Sequence, residues 1–317
     1  MLILPLLFLG QVLSAASAPA TPTLESYLQK LGYGAIPLQR NKENKLFLTA
    51  SLDSYRRTLT LDTGWSLTAL DTTVARKFKT PQQWGVQLGD AILGTNSGTN
   101  LVLIREMQVG SSRFLNQPAA TMALKARGFS FDGVLGGDFL RRNNAILDCA
   151  AKRLFVRGSA LPSETQQKLA RTLGNSGFRR IALKALSDLV FTCSAKINDT
   201  PLELLVDTGA VYTLVDEAAA RRCGMLWGKT GGRLEGVRRG MATELQSGKP
   251  RAFEIGGVGM PIQGIDIGVG ELEPWQIGGK ESGIQGILGA ELLARASAVI
   301  DYGSDTLWIV EAAEPAR

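Results

Sequence analysis

The tripeptide Asp-Thr-Gly occurs twice, each time where an apolar strand-like run ends. Residues 58–61 run into Asp62-Thr63-Gly64, and 145 positions later residues 202–206 run into Asp207-Thr208-Gly209. A carboxylate set directly after a buried strand pays a desolvation cost, and the Gly permits a tight turn at that point; the pattern is poor for a core and useful for chemistry. Two copies imply two carboxylates brought face to face across a pseudo-twofold axis, the arrangement in which a pair of Asp residues shares one proton.

The duplication extends well beyond the tripeptides. Residues 45–51, the turn Asp53-Ser54 and residues 58–61 read as a hairpin delivering Asp62; residues 189–197, the turn Asn198-Asp199 and residues 202–206 read as its copy delivering Asp207. Helix-like segments follow at 72–79 and 217–223. Further on, Gly133-Val134-Leu135-Gly136-Gly137-Asp138 is echoed by Gly286-Ile287-Leu288-Gly289-Ala290-Glu291, and the closing runs 145–156 and 298–309 match in type and order. The offset grows from 145 to 153 between the first and last echoes, which places an eight-residue insertion in a loop of the second copy.

These matches divide the 317 residues into a lobe at 45–158, a linker at 159–176 containing a helix at 162–173, and a second lobe at 177–317. Thirty-six glycines fit a turn-rich, mostly β chain. Residues 19–44 stand before the first lobe as a short helix, capped by Thr23 and stopped by Gly32, and as a candidate pro-segment. Residues 1–18 are uncharged, with an apolar run at 2–9 and Ala16-Ser17-Ala18 as a cleavage signal. They read as a signal peptide, although no Lys or Arg precedes the apolar run, and they imply a secreted or periplasmic protein. The run is too short for stable membrane insertion.

The chain contains no histidine, which excludes Ser-His-Asp and Cys-His catalysis and every His-containing metal site. A net charge of +6 spread along the chain is a solvated surface and gives no sign of nucleic-acid binding. Gly228-Lys229-Thr230 lacks the glycine a phosphate loop needs, since Cys223 stands in its place. Cys149, Cys193 and Cys223 are odd in number and far apart, and read as small buried hydrophobes.

The paired Asp-Thr-Gly loops, the apolar-Gly strands Val134-Leu135-Gly136 and Ile287-Leu288-Gly289, and the closing hairpins together resemble the aspartic peptidases of the pepsin and retropepsin type, over roughly residues 45–310. The resemblance implies a mostly β, bilobal fold of two retropepsin-like β-barrel lobes with a cleft between them, and Asp62 and Asp207 as the catalytic pair at its floor. Two carboxylates about 3 Å apart cannot both ionise, so one acts as base toward a water while the other acts as acid. By the same resemblance, Thr63, Gly64, Thr208 and Gly209 support the loops, the substrate is a polypeptide, no metal or cofactor takes part, and the protein is a monomer. Leu135 and Leu288 are expected to pack behind the loops.

Two departures stand out. The residue after the first Asp-Thr-Gly is ordinarily small, but here it is Trp65, while the second copy keeps Ala210; both are candidate cleft residues. The Gly-bounded stretches 88–94 and 231–236 are candidate flaps, and neither has a Tyr at its tip. Trp65 is the feature that favours the alternative, a noncatalytic peptide- or ligand-binding module on the same fold. Trp84, Trp227 and Trp275 read as packing residues outside the site.

Overall fold

The computed structural model describes residues 23–78, 100–187, 189–235, 242–272 and 283–311. The candidate signal peptide at 1–18, the 88–94 flap candidate, Trp84 and Trp275 therefore lie outside the described residues. Helix α1 (Leu24–Lys30) starts where expected, with the Thr23 hydroxyl accepting the Ser26 N–H at 3.2 Å, and ends before Gly32 at φ +84°. The chain then enters β1 (Gly34–Pro37).

The first lobe is one seven-stranded sheet: β2 (Gln39–Arg40), β3 (Leu46–Leu52), β4 (Tyr55–Leu61), β5 (Ala69–Asp71), β6 (Leu101–Val109), β7 (Ser112–Met122) and β8 (Gly133–Leu135), in the order β2-β3-β4-β8-β5-β7-β6 with β3 also pairing β6. In β3 buried and half-buried residues alternate strictly, the period-two pattern of a strand with one face on the core. Its hairpin with β4 turns through Asp53 and Ser54, both at positive φ, the geometry that matches strand twist in a two-residue loop. Helix α2 (Thr72–Ala75) is a single turn capped by Asp71, shorter than the 72–79 read from the sequence, and α3 (Gly137–Arg142) follows β8. The α2 turn ends at Arg76, although Phe78 beyond it is buried in the same core as Val74 and Ala75.

The chain continues through β9 (Ile146–Asp148), β10 (Arg153–Val156), α4 (Ser163–Asn175) and β11 (Phe178–Ala182) into the second lobe. There β12 (Lys184–Ser187), β13 (Val190–Ile197), β14 (Thr200–Val206), β15 (Leu214–Asp216), α5 (Glu217–Arg222), β16 (Leu226–Glu235), β17 (Ala242–Lys249), β18 (Phe253–Ile255), β19 (Val258–Gly259), β20 (Ile267–Gly270), β21 (Gly286–Leu288) and α6 (Ala290–Arg295) repeat the plan of the first. Asn198 and Asp199 turn the β13–β14 hairpin at positive φ, as Asp53 and Ser54 do in lobe one. In each lobe the strand leading into Asp-Thr-Gly runs parallel to the apolar-Gly strand: Leu61 is paired with Leu135, and Val206 with Leu288. The strand that leaves the loop pairs antiparallel to that same apolar-Gly strand. Of the 231–236 flap candidate, residues 231–235 form the end of β16 and Gly236 lies outside the described residues.

Strands β22 (Val299–Asp301) and β23 (Thr306–Val310) leave lobe two and complete a six-stranded sheet shared by both halves, in the order β1-β10-β9-β22-β23-β11. Its centre is the antiparallel pair β9–β22, with Leu147 opposite Ile300. Both residues are fully buried, and each such side chain contributes about 1.5–3 kcal/mol. Residues 34–37, within the stretch set apart as 19–44, form the outer strand of this sheet, and α1 packs on it through Leu28. Arg141 ties the lobes together, donating at 2.5 Å to the Tyr302 carbonyl and to Asp305. Cys149, Cys193 and Cys223 are free, buried thiols, as their spacing implied. Among the described residues no helix is long and apolar enough to cross a membrane.

Candidate active site

Each Asp backbone is anchored before its side chain is placed: the Asp62 N–H donates to the Leu135 carbonyl at 3.1 Å and the Asp207 N–H to the Leu288 carbonyl at 3.0 Å. Leu135 and Leu288 are fully buried behind these loops. The two loops then interlock. The Thr63 N–H donates to Thr208 Oγ1 at 3.2 Å and the Thr208 N–H to Thr63 Oγ1 at 3.0 Å. Each hydroxyl also crosses over, Thr63 donating to the Val206 carbonyl at 2.9 Å and Thr208 to the Leu61 carbonyl at 3.2 Å. Four hydrogen bonds between segments 145 residues apart leave both buried hydroxyls satisfied, which makes the loops rigid relative to one another.

The glycines set how close the carboxyls come. A Cβ on Gly64 would lie 2.5 Å from Asp207 Cγ, and one on Gly209 would lie 2.1 Å from Asp62 Oδ2, so each loop leaves room for the other's carboxyl only by lacking a side chain. Asp62 and Asp207 are thereby hydrogen-bonded to each other. Their surroundings are unequal. Asp62 accepts one backbone N–H, from Gly64 at 3.0 Å, whereas Asp207 accepts two, from Gly209 at 2.7 Å and Ala210 at 3.2 Å.

Burial, and after it the Asp207 charge and the bond to it, push the Asp62 carboxyl well above the usual carboxylate range; Lys45 and the Gly64 N–H oppose this more weakly. Burial also raises Asp207, against the bond from Asp62, the two N–H donors and Lys45. Both carboxyls are thus raised by burial, in surroundings that favour ionised Asp207 with one more N–H donor than Asp62 has. A pair so arranged can hold an acid and a base side by side.

Behind the loops sit two residues the sequence quoted without a role. Asp138 accepts from the Thr68 N–H at 2.7 Å and the Thr68 hydroxyl at 2.8 Å, and Glu291 accepts from the Thr213 N–H. Both carboxyls are shifted upward by burial. The signal for them was their matched place after each apolar-Gly strand.

The two cleft candidates part company. Ala210 is half-buried, with its N–H on Asp207. Trp65 is only 5% exposed: its ring packs with Ala69, Ala120, Leu124 and Val134 and meets Phe129 edge-on at 6.5 Å between centroids. A large apolar ring gains more from that pocket than from the cleft, and Trp65 therefore backs the loop instead of lining the opening.

Each half of the chain, tested against models of known families, finds the same chemistry. The aspartyl protease model matches residues 48–139, which hold Asp62, and the gag-polyprotein putative aspartyl protease model matches residues 193–295, which hold Asp207. The chain belongs to the pepsin/retropepsin-type aspartic peptidase family. The aspartic proteinase from Irpex lacteus superposes on this aspartic peptidase fold with a TM-score of 0.51 at 15% identity, over 89% of this chain and 98% of that one. A retropepsin-like aspartic protease from Rickettsia conorii is 17% identical and covers 39% of this chain and 90% of its own, with a TM-score of 0.27. No curated protein matches the sequence.

Proposed function

We propose that the protein is an aspartic endopeptidase in which Asp62 and Asp207 together activate a water for attack on a peptide carbonyl. The observation that carries this reading is the pair of carboxyls held against each other by the interlocked loops and both raised above the ordinary carboxylate range by burial. Asp207, held ionised by two N–H donors, takes a proton from the water as it attacks. Asp62 supports the forming gem-diol with its proton, and the proton gained by the pair then goes to the leaving nitrogen as the C–N bond breaks. The interlocked Thr63 and Thr208 keep the two carboxyls in register through both steps. Activity then needs the singly protonated pair: it rises as the first proton leaves and falls as the second does, and burial moves that second loss upward from the ordinary carboxyl value.

The binding-module reading rested on Trp65 narrowing the cleft, and the burial of its ring removes that support. The protease family points to polypeptide substrates. Our reading also includes export through residues 1–18, with a mature N-terminus just after Ala18, and a monomer, since one chain supplies both carboxyls; light scattering at twice the chain mass would count against the latter.

The test is cleavage of a diverse peptide library between about pH 3 and 7, followed by mass spectrometry, with Asp62→Asn and Asp207→Asn as controls. Each substitution is expected to lower kcat about a thousandfold in protein that still melts cooperatively. Retention of activity within about tenfold in either variant would sink the shared-pair mechanism.

A further inference from the structure

The β3–β4 ladder ends at Phe47 paired with Thr60, so Lys45 stands two residues before, and Asp62 two residues beyond, the same end of that hairpin. Lys45 is fixed there by its backbone: its N–H donates to Asn41 Oδ1 at 2.9 Å and its carbonyl accepts the Asn41 N–H at 3.1 Å. Its ammonium lies 5.4 Å from the centroid of Phe129, which in turn meets the Trp65 ring. Lys45 and Phe129 thus follow one another on the lobe-one side of the pair, with the buried Trp65 ring behind Phe129. The Lys45 charge is felt by both Asp62 and Asp207, the first causes of their shifts being burial.

Among the described residues Lys45 forms no ion pair, although ten other cations do. The lobe-two residue at the matched hairpin position is Val190, fully buried and apolar. At the matched positions a half-buried lysine therefore stands in lobe one and a buried apolar side chain in lobe two. A singly ionised pair repels an acidic side chain; a cation held against a ring face beside it offsets that repulsion and offers a carboxylate a partner.

We propose that Lys45 gives the cleft a preference for substrates with an acidic side chain close to the scissile bond, whose carboxylate it binds. This rests on the peptidase reading above and deepens it by naming a substrate class. The cation is a specificity residue, not a catalytic one, and its effect belongs in the ratio between substrates.

The experiment uses peptides of one scaffold sequence carrying Glu, Gln or Lys at successive positions on either side of the cleaved bond, and compares kcat/KM for the wild type, Lys45→Met, Lys45→Arg and Lys45→Glu. At one position the wild type is expected to favour Glu over Gln by about tenfold. Lys45→Arg keeps that ratio, Lys45→Met brings it near one, and Lys45→Glu inverts it toward Lys. Binding of the same peptides to Asp207→Asn protein with and without Lys45→Met, read by fluorescence anisotropy, reports the preference without turnover. A preference for Glu that survives Lys45→Met, or no such preference in the wild type by either readout, overturns the inference while leaving the peptidase reading intact. Lys45-dependent selection of Glu peptides in binding, with no peptide cleaved by folded wild type, sustains the inference for the cleft and overturns the peptidase reading.

Discussion

The two lobes carry the same loop on the same strands and fill the space behind it in different ways. In lobe one the filling is a single large ring among small residues: Trp65 against Ala69, Ala120 and Val134. In lobe two the residue matching Trp65 is Ala210, and the space is taken by Leu214, Ile287, Leu205, Val190 and Leu272. Ala69 and Leu214 occupy matched positions, as do Val134 and Ile287. Volume has moved from one position to its neighbours while the backbone has stayed put, which is how a close-packed interior accommodates divergence between duplicated halves. The electrostatics diverge too. Lobe one brings a cation to the pair, through Lys45, while lobe two brings the extra N–H donor, through Ala210.

If the volume argument holds, Trp65→Ala costs about 3–5 kcal/mol by denaturant unfolding, because nothing in lobe one replaces the ring. Adding Ala69→Leu, which copies Leu214, recovers about 1–2 kcal/mol of that loss. A double variant no more stable than Trp65→Ala would break the equivalence of the two fillings. A smaller effect tests the helices that follow the apolar-Gly strands. A Cβ on Gly137 would sit 1.8 Å from the Leu189 carbonyl oxygen of the opposite lobe, whereas lobe two carries Ala290 at the matched position. Gly137→Ala should therefore cost about 1–3 kcal/mol, and Ala290→Gly no more than about 1 kcal/mol. Equal costs would mean that the lobes meet more loosely at α3 than this contact implies.

The smallest effect separates the two carboxyls. Both are raised, and a carboxyl raised in the folded state costs stability above its unfolded value, a cost that fades as pH falls through the folded one. Replacing one member by Asn should stabilise the protein at pH 7 by about 1–2 kcal/mol, with the gain shrinking as the pH approaches 3.8, the ordinary value. Asp62→Asn should gain more than Asp207→Asn, since an amide at 62 still donates to Asp207 while an amide at 207 weakens the acceptor of two N–H bonds. Melting curves of both variants across that range decide it; a larger gain for Asp207→Asn would place the proton on the other carboxyl.

Much of this fold was legible in the chain because its signals are local. Period-two burial in β3, the Asp53-Ser54 and Asn198-Asp199 turns, and the Thr23 cap each depend on residues a few positions apart. Repetition of the hairpin turn and the loop after it at an offset of 145 made Asp62 and Asp207 a pair and put Thr63 and Thr208 beside them. Other features depend on neighbours that no spacing reveals. Trp65 looked like a cleft residue, yet the pocket that buries it is built from Ala120, Leu124 and Phe129, more than fifty positions away. Helix α2 is a single turn although Phe78 beyond it joins the same core as Val74 and Ala75, so apolar spacing alone does not mark where the helix ends.

By itself the sequence determined that two like halves each present a carboxylate after a buried strand, since strand pattern, turn chemistry and duplication are written in short stretches. Only the tertiary structure decided how unequally the two carboxyls are surrounded, that the lobes share the sheet centred on β9 and β22, and that the Lys45 charge acts on both carboxyls. Those outcomes turn on distances between groups far apart in the chain. Proton sharing and cation fields vary with separation and burial, and both are set when the lobes close on each other.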